Sequence, residues 1–99
     1  MALSLKFTAP ARSDLVGIVD YISRDNSPAA RRVYEEIRSH CATLIEAPEI
    51  GVETAKGVRR LVVGAYLVFY RLRRRGTAGD IEILRVIHGA RQIPRNLGS

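Results

Sequence analysis

The sequence predicts an α+β domain of order β-α-α-β-β-β, an antiparallel sheet with a helical hairpin packed on one face. Three observations predict it. Two amphipathic stretches with helical spacing lie side by side, parted only by Asp25-Asn26-Ser27-Pro28. An alternating apolar segment precedes them. Three segments rich in β-branched and aromatic residues follow, joined by short turns that contain glycine. Helices and strands gathered in blocks, rather than alternating, favour an α+β arrangement.

Leu3 to Thr8 places Leu3, Leu5 and Phe7 on one side and Ser4, Lys6 and Thr8 on the other, the pattern of a half-buried strand. Pro10 breaks it and opens a helix over Ala11 to Ser23, where Leu15, Ile18, Val19 and Ile22 make one apolar stripe. Gly17 inside that helix costs about 1 kcal/mol relative to alanine, which suggests close packing with a neighbour. Ser27 is a suitable N-cap and Pro28 a suitable first helical residue for a second helix reaching about Glu46. Its stripe is Val33, Ile37, Cys41 and Leu44.

Pro48 to Gly57 reads as a loop. Val58 to Val63, Tyr66 to Leu72 and Ile81 to His88 read as strands, with a turn over Arg73 to Asp80. The strand at Val58 is expected to run opposite to the first, which makes the sheet antiparallel throughout. The last two strands are apolar on both faces: Leu67 and Phe69 alternate with Val68 and Tyr70. Two helices cover one face, so the other is left for residues 89–99, a tail or short helix, or for a partner.

Ninety-nine residues make a single domain, 1–99. No apolar run approaches the roughly 20 residues needed to span a bilayer, and the N-terminus lacks a signal-peptide pattern. One cysteine, Cys41, sits among apolar residues, and no Cys/His cluster has metal-ligand spacing. The expectation is a cytoplasmic protein with no membrane contact, no metal and no cofactor. Charge is uneven. Residues 1–55 hold six basic and eight acidic side chains, whereas residues 56–99 hold ten basic and two acidic. A half-chain at +8, mostly arginine, points to an acidic partner.

The order Ala11-x-x-Asp14-Leu15-x-x-Ile18-x-x-Tyr21-Ile22, then Leu44 and Pro48, Arg59-Arg60-Leu61, Tyr66-Leu67-Val68-Phe69-Tyr70-Arg71 and Ile83-Leu84-Arg85-Val86-Ile87-His88-Gly89-Ala90-Arg91 resembles the ParE branch of the ParE/RelE toxins of type II toxin–antitoxin systems. The resemblance runs from about residue 3 to 95. It implies the same β-α-α-β-β-β fold, a cognate acidic antitoxin that neutralises the toxin, and DNA gyrase as the target. The alternative implied by the RelE branch is a ribosome-dependent messenger RNA endoribonuclease, with ribosome or mRNA as partner.

The residues separate these readings. RNA cleavage by 2′-OH attack needs a base, an acid and cations on the phosphorane. The cleaving branch commonly has an arginine after the tyrosine of the third strand, where this chain has Leu67, and an aromatic or His in the tail, where it has Leu97. The primary reading is therefore an inhibitory binding protein with no catalytic residue. His88 and Arg91 are the catalytic candidates under the alternative. Candidate antitoxin- or target-binding residues are Arg59, Arg60, Arg71, Arg85, His88, Arg91 and Arg95. Tyr66 and Tyr70 read as sheet and core residues, Glu35-Glu36 as a solvated helix face, and Cys41 as core rather than nucleophile.

Overall fold

The computed structural model describes residues 2–90. Its elements are β1 (Ala2–Phe7), α1 (Ala9–Ser23), α2 (Ser27–Thr43), β2 (Val52–Ala55), β3 (Val58–Val63), β4 (Tyr66–Arg75) and β5 (Ala78–His88). The strands form one sheet in the order β1-β5-β4-β3-β2, and the helical hairpin lies on one face.

Both helices start where side chains can satisfy the first free backbone N–H groups. Thr8 is extended, and its Oγ1 accepts from the Ala11 N–H while donating to the Ile83 carbonyl at 2.9 Å. That one hydroxyl ties the start of α1 to β5. Pro10 in the first turn removes a donor that would have had no partner. The cap of α2 is Asn26, one residue earlier than the expected Ser27: Asn26 is extended at φ −157° and its Oδ1 accepts from the Ala29 N–H at 3.0 Å. Both types cap well, and the extended backbone at Asn26 decides between them. The α-helix ends at Thr43, short of Glu46, because Leu44, Ile45 and Glu46 bond three residues back, a tightened last turn.

The expectation of a wholly antiparallel sheet is corrected. β1 pairs with β5 in parallel, Leu5 opposite Ile81 and Phe7 opposite Ile83, so the sheet is mixed. The cause is β2, within the expected loop. Its four residues, Val52-Glu53-Thr54-Ala55, have little apolar content because it is an edge strand and half exposed. The chain does return from the helices opposite to β1, but in β2. The β2–β3 hairpin, turning at Gly57 with φ +77°, adds one reversal. β3 and β5 then share the direction of β1, with β4 running against them.

The expected turn over Arg73 to Asp80 is also shorter than anticipated. β4 and β5 remain paired out to Arg75 opposite Ala78, and only Gly76, at φ +59°, and Thr77 lie between the strands. This ribbon is polar on its outer part, so apolar content does not mark it.

The core sits between hairpin and sheet. Ala11 and Leu15 of α1 and Ile37 and Cys41 of α2 meet Val63, Val68, Tyr70, Ile81, Ile83 and Val86, with Leu44 closing one end. Burying an aliphatic side chain of this size contributes about 1.5–3 kcal/mol. Among the described residues Gly17 has no close neighbour outside its own helix: a Cβ there would meet no atom of another element within 4 Å, so the expected close packing is not found.

Candidate partner-binding site

Register sorts the side chains onto two faces. Tyr66, Val68, Tyr70 and Leu72 of β4, with Ile81 and Ile83 of β5, look toward the helices. Leu67, Phe69, Arg71 and Arg73 alternate with them and belong to the reverse face, with Asp80 and Glu82 opposite on β5. Lys6 of β1 joins that face, as do Arg60 and Val62 of β3 and Val52 of β2. Phe69 and Ile87 are buried although they lie outside the cluster under the helices.

The reverse face is stitched by ion pairs. Arg71 Nε donates to Glu82 at 2.7 Å, and Arg73 stands 3.9 Å from the same carboxylate. Asp80, nearly buried, faces Lys6 at 3.5 Å and Arg75 at 3.1 Å. Two carboxylates thus serve four cations, and the face stays positive.

Three of the expected binding residues are occupied within the fold. Arg59 donates to the Gly51 carbonyl at 2.8 Å and reaches that of Glu49 at 3.4 Å. It works beside Tyr70, whose hydroxyl donates to the Pro48 carbonyl and accepts from the Gly51 N–H, both at 2.9 Å. Burial chiefly pushes the Tyr70 phenol above its ordinary pKa. A Cβ at Gly51 would stand 2.6 Å from the Tyr70 hydroxyl, so this latch needs glycine. Arg71 is engaged by Glu82 as above. Arg85 makes a side-on fork to Asp14 of α1, with Nε at 2.7 Å and an Nη at 3.0 Å; Asp14 also accepts from the Val86 N–H at 2.9 Å. The hydrogen bond to Asp14 drives the Arg85 pKa upward, against the desolvation that lowers it. A bulge aims this residue. Tyr70 faces Ile83 and Phe69 faces Arg85, so Leu84 is the extra residue.

His88 is half-buried. Its ring meets Tyr66 edge-on at 5.2 Å, and its Nδ1 accepts from the Ala90 N–H at 3.1 Å. That bond assigns Nδ1 as an acceptor, which leaves Nε2 as the ring's N–H in the neutral form. Arg60 differs from the rest. Its Nε is buried and, among the described residues, has no hydrogen-bond partner. Arg91 and Arg95 lie outside the described residues. Cys41 is fully buried in the core, and desolvation raises its pKa to about 12, so it is no nucleophile at neutral pH.

The sequence reading missed an open cleft of about 1140 Å³ between α1, α2 and β1. Leu5, Phe7, Leu15, Val19 and Tyr34 line it, with Arg12, Arg31 and Arg38 also at its walls. The Arg38 guanidinium lies 4.7 Å from the Phe7 ring centroid and 5.9 Å from that of Tyr34. Val16, 70% exposed, and Tyr34 were the available signal, since neither belongs to the stripe of its helix. A smaller polar recess of about 360 Å³ lies beside Gly17, Tyr21 and His88. No helix among the described residues is long and apolar enough to cross a membrane.

A helical hairpin on one face of a five-stranded mixed sheet, with a cationic reverse face, defines a small basic α+β domain. The same architecture occurs in a solved structure titled "Chromosomal ParDE TA system from P. aeruginosa", with a TM-score of 0.70 and 26% identity over 87% of this chain and 95% of that one. The chain belongs to the family described as ParE toxin of type II toxin-antitoxin system, parDE, which it matches over residues 5–93. It is also 34% identical over 96 residues to a Sinorhizobium fredii protein named "Putative toxin Y4kP", covering 94% of this chain and 95% of that protein. The protein is thus a ParDE-type toxin of a toxin–antitoxin system.

Proposed function

We propose that this toxin arrests growth in the bacterial cytoplasm by binding and inhibiting DNA gyrase, and that a cognate acidic antitoxin neutralises it. The observation that carries the choice of binding over RNA cleavage is the fate of the candidate cations. Arg59, Arg71 and Arg85 are each committed to an oxygen of the chain itself. His88 has one ring nitrogen engaged by the backbone, and among the described residues no carboxylate pairs with the other. A phosphoryl-transfer site needs cations aimed at the developing charge, with a base and an acid beside them. Side chains already holding the fold together do not supply that. The net +8 of residues 56–99 favours an acidic antitoxin.

The deciding experiment is induced expression in a bacterial host without the antitoxin. Loss of negative supercoiling with an SOS response supports gyrase. Cleavage of translated messenger RNA without those effects replaces this reading with the endoribonuclease. His88→Ala sharpens it: a general acid or base costs roughly 10²- to 10⁴-fold in rate when removed, whereas the inhibitor is expected to stay toxic.

A further inference from the structure

We propose that Arg60 is the anchor for an acidic side chain of the antitoxin, with Val52 and Val62 as the apolar contacts on either side of it. The inference rests on the toxin–antitoxin reading above and adds the place and the chemistry of the contact.

Arg60 stands in the middle of β3, paired across the strands with Val52 of β2 and Phe69 of β4. Two residues along β3, Val62 shares its face. Val52 and Val62 are 62% and 60% exposed, far more than the valines of the core. Between them the Arg60 Nε is shielded from water and, among the described residues, has no hydrogen-bond partner. A buried donor left unpaired destabilises a fold, more so when it belongs to a charged group. An exposed arginine has water as its partner. Among the described residues the Arg60 Nε has no acceptor and it is shut off from water, so a partner that brings an acceptor and moves the guanidinium into reach gives this donor a bond it lacks.

The chemistry of the partner follows from the surroundings. Among the described residues no spare carboxylate lies on this face: Glu82 is taken by Arg71 and approached by Arg73, and Asp80 by Lys6 and Arg75. The acceptor must come from outside, and the local excess of positive charge selects a carboxylate. The flanking valines select an amphipathic protein segment over a phosphate backbone, since apolar area is buried along with the charge. Arg85 shows the geometry that fits, a side-on fork with Nε and one Nη on the two oxygens of Asp14. A carboxylate meeting Arg60 in the same way satisfies the free Nε. The antitoxin is the occupant because this family pairs its toxins with one, and a resident partner repays the permanent desolvation of such a pair.

The test uses the full-length toxin and the antitoxin encoded beside it. Arg60→Gln is expected to fold with a melting temperature equal to or above that of the wild type, because the variant no longer buries a charged unpaired donor. It is expected to remain toxic, to escape neutralisation on co-expression, and to bind the purified antitoxin roughly 30-fold or more weakly. Val62→Glu, at an exposed position, is expected to weaken antitoxin binding by repulsion while Val62→Lys does not, and this pair decides the matter if Arg60→Gln folds poorly. Antitoxin affinity within about threefold of wild type for both Arg60→Gln and Val62→Glu overturns the proposal. So does a folded Arg60→Gln that loses toxicity but is still bound by antitoxin, which assigns Arg60 to the target. A wild-type chain that is not toxic at all overturns the functional reading instead, and the affinity measurements still decide the anchor.

Discussion

The two faces of the sheet are held by different physics. The helix-covered face is apolar and dry, with Ile37, Cys41, Val68, Tyr70, Ile81 and Ile83 almost wholly buried. The reverse face is crossed by ion pairs whose cations stay partly in water, Arg71 with Glu82 and Arg75 with the nearly buried Asp80. A dry apolar contact loses transfer energy and leaves a cavity when it is trimmed, whereas a hydrated ion pair exchanges one solvation for another. Stability should therefore reside on the helix face. The reverse face is free to vary in charge, which suits a surface that recognises partners.

The largest effect expected is on the covered face. Ile83→Ala should lower unfolding free energy by about 2–5 kcal/mol in urea titration, with the slope unchanged. A loss under 1 kcal/mol would mean that the hairpin does not seal this face. Asp14→Ala comes next, at about 2 kcal/mol, because Asp14 accepts three hydrogen bonds and holds α1 to the bulged end of β5. This ion pair is expected to behave like core, because three hydrogen bonds converge on one carboxylate. An effect as small as that of a surface pair would break the distinction between them.

The pH dependence sharpens the contrast further. The Cys41 thiol titrates near 9.0 when unfolded and at about 12 when folded. Its folded value is raised, so its contribution is fully present below pH 9 and is lost as pH rises toward 12. Tyr70 is shifted in the same direction. Thermal melts should show stability falling above pH 9, by about 1 kcal/mol at pH 10 from Cys41, and Cys41→Val should fall less steeply. The smallest effect belongs to the reverse face. Arg71→Gln should cost under about 1 kcal/mol, with the difference from wild type shrinking in 1 M salt.

Much of this was legible because periodicity reports burial. The stripe Leu15, Ile18, Val19, Ile22 and the alternation in Leu3, Leu5, Phe7 are statements about which side turns inward, and both elements formed within two residues of the bounds read, with Val19 lining the open cleft. β2 was illegible for the same reason. An exposed edge strand of four residues buries little, so its sequence carries no period, and overlooking it reversed the inferred direction of β3, β4 and β5. The candidate site was legible as a set of residue types. Arg59, Arg60, Arg71 and Arg85 look alike in sequence, and only their neighbours distinguish them.

The sequence by itself determined the class of the fold, the helical hairpin, the basic C-terminal half and the resemblance to ParE toxins, because these depend on local pattern, composition and order along the chain. The tertiary structure alone decided that the sheet is mixed, that Arg59 and Arg71 are tied to Gly51 and Glu82 and Arg85 to Asp14, and that Arg60 has a buried donor with no partner among the described residues. Asp14 and Arg85 are separated by 71 positions. Whether a charge is paired, hydrated or orphaned depends on contacts across such distances, and no local pattern in the chain records them.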